Sequence, residues 1–181
     1  ATALRQEVIA DVLATDTTQD LSRLFLRLHR GRATRAVGQA FDTLVLKLHD
    51  IWRLAPERDL WDQLEVPVSL PDDSLTQAIA GLAAMAPELP LTNAGSPNKT
   101  WEKAFAKALN AAHEGLWEDF LFDGFVGRMH DQERERMYSK KEITPAWFRA
   151  FAPLIRHASS LVLEQLRQRH LASFELLSRY D

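Results

Sequence analysis

Arg23, Arg27, Arg30, Arg32 and Arg35 fall within the fifteen residues from Leu21 to Arg35, a stretch that contains no aspartate or glutamate. Contact with a phosphate backbone needs clustered positive charge and little else. Arg30 and Arg32 flank Gly31, and a glycine turn leaves both guanidinium groups free to reach phosphates. The competing reading is a solvated helix end, where cations are favoured beside the C-terminal dipole. A second basic cluster, Arg134, Arg136, Lys140 and Lys141, is interleaved with Glu133, Glu135 and Glu142, the pattern of a solvated loop. The candidate DNA contacts are therefore Arg27, Arg30, Arg32 and Arg35 first, with Lys140 and Lys141 second.

The histidines offer less. His49-Asp50 and His130-Asp131 are His-Asp pairs of the kind used by metal-dependent HD-type phosphohydrolases, and His29 is a candidate third ligand. His49 and Asp50, however, sit among residues that read as helix packing, so no metal ligand is assigned. His113-Glu114 lacks the second histidine of a zinc protease, and no histidine has a glutamate three residues before it. Arg23 and His29 have a spacing tolerated in HEPN-type ribonucleases, a pattern common by chance. The chain has no glycine-rich phosphate loop, no GxGxxG and no serine-centred elbow. Without cysteine there is no disulfide, thiol catalysis or thiolate zinc site. No catalytic residue is assigned. Trp52, Trp61, Trp101, Trp117 and Trp147 are candidates for base stacking. Each lies among apolar residues at helical spacing, so core packing is the expected role.

The elements that must position these residues are helical almost throughout. The apolar spacing predicts a helix over 2–14, a second restarted at Asp16–Thr18, where Thr17 and Asp20 form a capping-box-like pair, and running to about His29, and a third over 33–54, the last burying Val37, Phe41, Leu44, Val45, Leu48, Ile51 and Trp52. Gly38 inside it marks a close helix crossing. Pro56 begins a short helix holding Leu60, Trp61 and Leu64, and 66–71 is extended because of its two prolines. Asp72, Asp73 and Ser74 are expected to cap a helix over 75–85. Residues 87–97, with three prolines, Asn93 and Gly95, form the clearest loop and the candidate hinge between two halves. Ser96-Pro97 opens a helix with Trp101, Phe105, Ala108, Leu109 and Ala112 inward, stopped at Gly115, and 116–122 is a short aromatic helix. Residues 123–142 suggest loop and short helix with a brief strand near Met137 and Tyr138. From Thr144-Pro145 a long helix runs to the end, with Pro153 expected to kink or split it.

The expected fold is all-α: an irregular multi-helix bundle organised around this C-terminal helix, in one domain over residues 1–181. At 46% hydrophobic, the 181-residue chain can bury a real core, and its net charge of −3 requires any DNA contact to come from a local patch. No apolar run reaches the length of a membrane span, so no membrane partner is expected. Both ends read as helix, which is ordinary for a piece of a larger protein.

Three stretches in order resemble a known family. Ala3-Leu4-Arg5-Gln6-Glu7-Val8-Ile9, with Leu60-Trp61-Asp62-Gln63-Leu64 downstream, is the first. Lys103 to Phe120, ending Gly115-Leu116-Trp117-Glu118-Asp119-Phe120, is the second, and Leu166 to Asp181 is the third. Together they resemble the accessory 1B subdomain of UvrD-like superfamily 1 DNA helicases, nearest to the AddA/RecB-type helicase–nucleases of the exonuclease V kind. The resemblance lies in pattern and order rather than in invariant motifs. It implies an all-helical insert in a motor domain, contacting single- or double-stranded DNA without sequence preference, in a cytoplasmic protein of repair or recombination. It also implies that ATP and magnesium bind the motor domains of the rest of the helicase chain, with no cofactor in this stretch. The alternative is a stand-alone helical domain that binds protein through exposed aromatics.

Overall fold

The computed structural model describes residues 7–10, 12–13, 23–24, 37–130 and 137–180. The fold is all-α apart from one two-stranded ribbon among the described residues. Residues fall into two compact units, one of Ala1–Glu65 with Leu163–Asp181, the other of Val66–Val162. The proline-rich stretch 87–97 lies inside the second unit.

In the first unit, helix α1 spans Val37–Leu54 and a four-residue helix α2 spans Arg58–Trp61. The C-terminal part of a 36-residue helix, Pro145–Tyr180, here α7, belongs to this unit as well. Phe41 and Val45 of α1 pack with Ala172, Leu176 and Leu177 of α7, joined by Ile9 and Leu24 from two further helical stretches. The Trp52 indole N–H donates to Ser178 Oγ at 3.3 Å, and the Trp61 ring lies 5.9 Å from that of Phe174. Ile51, expected inside, is 53% exposed. Helical geometry places it to the side of the stripe formed by Phe41, Val45 and Leu48. The short helix begins at Arg58 rather than Pro56, and Leu64 lies beyond its end. Val37 and Gly38 are helical, and the role expected for their surroundings lies outside the described residues.

The second unit is built from α3 (Asp72–Ala83), a 3₁₀ turn (Ala86–Glu88), α4 (Lys99–His113), α5 (Trp117–Leu121), α6 (Gly124–His130), the hairpin β1 (Met137–Tyr138) and β2 (Lys141–Glu142), and the first part of α7. Its core is aromatic: Trp101 and Phe105 of α4, Phe120 of α5, Phe125 of α6, and Trp147 and Phe151 of α7 are buried together. The Trp101 ring packs against Phe125, Tyr138 and Trp147 at 5.2, 5.5 and 5.4 Å, and its indole N–H donates to the Tyr138 carbonyl at 2.9 Å. These contacts give the tryptophans the packing role expected from their spacing.

Local signals decide where the helices start and stop. Asp72 and Asp73 lie within the first turn of α3, with Pro71 at the N-cap, so they favour the helix dipole rather than cap it. Helix α4 starts at Lys99 because Asn98 Oδ1 accepts from the backbone N–H of Thr100 at 3.0 Å and of Trp101 at 3.4 Å; Ser96-Pro97 stands outside it. Gly115, at φ 68°, closes the helix: Leu116 N–H donates to Ala111 O at 2.9 Å and Gly115 N–H to Ala112 O at 3.3 Å, the paired bonds of a Schellman end. Pro153 does not split α7, which is continuous from Pro145 to Tyr180. Phe151, Leu154 and Ile155 on either side are buried in the core, and this packing outweighs the roughly 3 kcal/mol that an interior proline costs.

Candidate functional site

Helix α4 buries one face and leaves the other to solvent. Trp101, Phe105, Ala108 and Ala112 point into the core, while Lys99, Lys103 and Lys107, four residues apart, line a cleft of about 770 Å³. The same spacing that makes a core stripe makes this cationic one. Arg128 of α6 and Ser139, at the tip of the β1–β2 hairpin, complete the mouth, and Met137 and Tyr138 of β1 add apolar surface. Among the described residues the cleft thus carries four cations, with Asp123 as the carboxylate in its lining.

Asp123 is committed to two partners. Its Oδ1 accepts from Phe125 N–H at 2.9 Å, opening α6, and its Oδ2 accepts from Lys107 Nζ at 2.7 Å. Partial burial pushes the Asp123 carboxyl up, but the hydrogen bonds from Lys107 and Phe125, with the lysine's charge, outweigh it and hold the group below its ordinary value. The bond to Asp123, followed by its charge, raises the Lys107 ammonium above its ordinary value. Among the described residues no ion pair engages Lys99, Lys103 or Arg128. Three cations are therefore left to meet an anion.

The hairpin tip is strained. Met137 pairs with Glu142 and Tyr138 with Lys141, leaving Ser139 and Lys140 as a two-residue turn with φ of 47° and 63°. Two-residue hairpins require this left-handed backbone, normally supplied by Asn-Gly. Lys140 is exposed at the tip and Lys141 is half-buried on β2; neither lines the cleft. Arg27, Arg30, Arg32 and Arg35 lie outside the described residues, as do Arg134 and Arg136.

The lysine ladder was missed in the sequence, although Lys99, Lys103 and Lys107 stand at the i, i+4, i+8 spacing that would have revealed it. Arg128 and Asp123 come from another element, so nothing local announces the cleft. His49 packs its ring on Trp52 at 6.0 Å and edge-on to Tyr180 at 5.0 Å. Among the described residues no three histidine, aspartate or glutamate side chains converge to hold a metal. Nor is any described helix long and apolar enough to cross a membrane. No protein-family model matches this chain, and no curated protein or solved structure matches it either.

Proposed function

We propose that this chain is a DNA-contacting helical module of an ATP-driven helicase, resembling the 1B subdomain of the UvrD-like group, and that the basic cleft of the second unit contacts the phosphate backbone. The observation that carries the DNA contact is the lysine ladder of α4 facing a shared cavity with Arg128, three of the four cations having no ion pair among the described residues. Such an array recognises phosphate charge, not base sequence. An all-α fold ending in a long helix supports the helicase part of the reading, together with the three stretches that carry the resemblance. In that reading ATP and magnesium belong to motor domains elsewhere in the parent protein, and this module positions DNA. Arg27, Arg30, Arg32 and Arg35 are proposed as a second backbone contact.

Fluorescence anisotropy with a short labelled DNA tests the contact. The wild-type chain binds, and Lys99→Ala/Lys103→Ala/Arg128→Ala weakens binding by tenfold or more while leaving the helical circular dichroism intact. Equal binding by both proteins would exclude the cleft as a DNA contact. The helicase part is tested on the parent gene: a phosphate loop upstream and an acidic magnesium motif downstream are expected.

A second reading has its own observation. Leu46, Ile51 and Leu54 on α1 are 60%, 53% and 88% exposed, a surface suited to protein contact in a stand-alone interaction domain. Gene flanks without motor motifs, together with absence of DNA binding, would favour it.

A further inference from the structure

We infer that the basic cleft takes one extended strand of nucleic acid rather than the outside of a duplex, an inference that rests on the DNA reading above. Lys99, Lys103 and Lys107 climb α4 by four residues per step. Each step advances about 6 Å and turns only about 40°. That advance is on the scale of one nucleotide repeat in an unstacked backbone, so successive ammonium groups can meet successive phosphates. Arg128 lines the same cleft from α6. Cations on two elements can grip a strand that enters between them. A duplex presents its phosphates on a convex surface and would meet only the rim of a cleft of about 770 Å³.

The hairpin side agrees with this. Met137 is 43% exposed and Tyr138 half-buried, both lining the cleft. A cationic groove bordered by aromatic and apolar side chains is the combination that holds single strands without reading sequence, because every base has an apolar face. Lys107 is already engaged by Asp123 at 2.7 Å. Lys99, Lys103 and Arg128 therefore set the contact at about three phosphates, for which the counterion rule gives a salt slope of about −2 on single strands.

The test compares labelled oligo-dT with a duplex of the same length across a salt series, using wild type, Lys99→Ala/Lys103→Ala/Arg128→Ala, and Met137→Ser. Oligo-dT is expected to bind at least fivefold more tightly than duplex, and the triple change is expected to remove the cleft's contribution of about 2 from the slope. Met137→Ser, which keeps every charge, is expected to weaken oligo-dT about two- to threefold and leave the slope unchanged. Duplex bound as tightly as oligo-dT, with the same dependence on the three cations, overturns the single-strand inference and leaves the DNA reading standing. Binding of neither ligand through these cations overturns both. Heparin competing as well as oligo-dT at equal charge shows a general polyanion surface and also overturns the inference.

Discussion

Lys107 Nζ sits 2.7 Å from Asp123 Oδ2, so the one carboxylate lining the basic cleft among the described residues is spent on the last rung of its lysine ladder. The pair ties α4 to the start of α6, where the other carboxylate oxygen holds Phe125 N–H at 2.9 Å. It also withholds one cation from any bound anion. Asp123→Asn keeps an oxygen for the Phe125 N–H and frees Lys107. DNA affinity is therefore expected to rise several-fold, and the salt slope to steepen by about 0.7–0.9, the contribution of one added phosphate contact. Weaker binding by this variant, with its fold intact, would show that the carboxylate serves the ligand and does not oppose it.

His157 couples the second unit to pH. Its Nδ1 accepts the backbone N–H of Leu70 at 3.1 Å, and its ring stands edge-on to Trp117 at 4.6 Å. An accepting Nδ1 requires the neutral imidazole. Burial holds the group below its ordinary value of 6.5, with the charge of Asp72 acting the other way. The unfolded chain therefore takes up this proton first as pH falls, and the native state loses stability below about pH 6.5. The melting temperature is expected to decline between pH 7 and 5 more steeply in wild type than in His157→Asn, which offers an acceptor that does not titrate. Parallel declines in the two proteins would remove His157 from the acid response.

The hairpin tip should yield to glycine. Lys140 holds φ 63° without being glycine, and a left-handed residue with a Cβ costs about 1–2 kcal/mol. Lys140→Gly is expected to stabilise the fold by about 1 kcal/mol or less, since added freedom in the unfolded chain offsets part of the relief. Because Lys140 does not line the cleft, affinity for DNA should change little. A fall in the melting temperature would show that the lysine side chain is worth more than its strain.

Pro153 offers a larger gain. Alanine there restores a backbone donor inside α7 and removes the ring from the preceding turn. Pro153→Ala is expected to stabilise the chain by about 1–3 kcal/mol, measured by chemical denaturation. Unchanged or reduced stability would mean that the half-buried ring contributes packing equal to its cost.

Most of the helices could be read from their own residues. The Trp101, Phe105, Ala108 and Ala112 stripe, the stop at Gly115 and the start at Thr144-Pro145 each depend on neighbours in sequence. Errors arose where two local signals competed or where burial decided. Asn98 outcompeted Ser96-Pro97 as the start of α4, and Pro71 took the cap position expected of Asp72. Ile51 stands at the margin of the α1 stripe, to the side of Phe41, Val45 and Leu48, and is exposed there; its apolar character alone suggested burial. The cleft was the least legible feature. Its lysines look like any solvated helix face until Arg128 and the hairpin are brought beside them by the aromatic core under Trp101.

Contact between this cleft and the DNA backbone is tested by the salt dependence of DNA affinity in three proteins. These are wild type, Lys99→Ala/Lys103→Ala/Arg128→Ala, and Arg30→Ala/Arg32→Ala/Arg35→Ala. Each lost phosphate contact should flatten the logarithmic slope by about 0.7 on a single strand or about 0.9 on a duplex. The cleft variant is expected to lose two to three contacts' worth of slope, with an unchanged melting temperature, because exposed charges contribute little to folding. The arginine variant should lose a smaller increment of its own. A cleft variant with the wild-type slope would exclude the cleft as a DNA contact, whatever the arginine variant does.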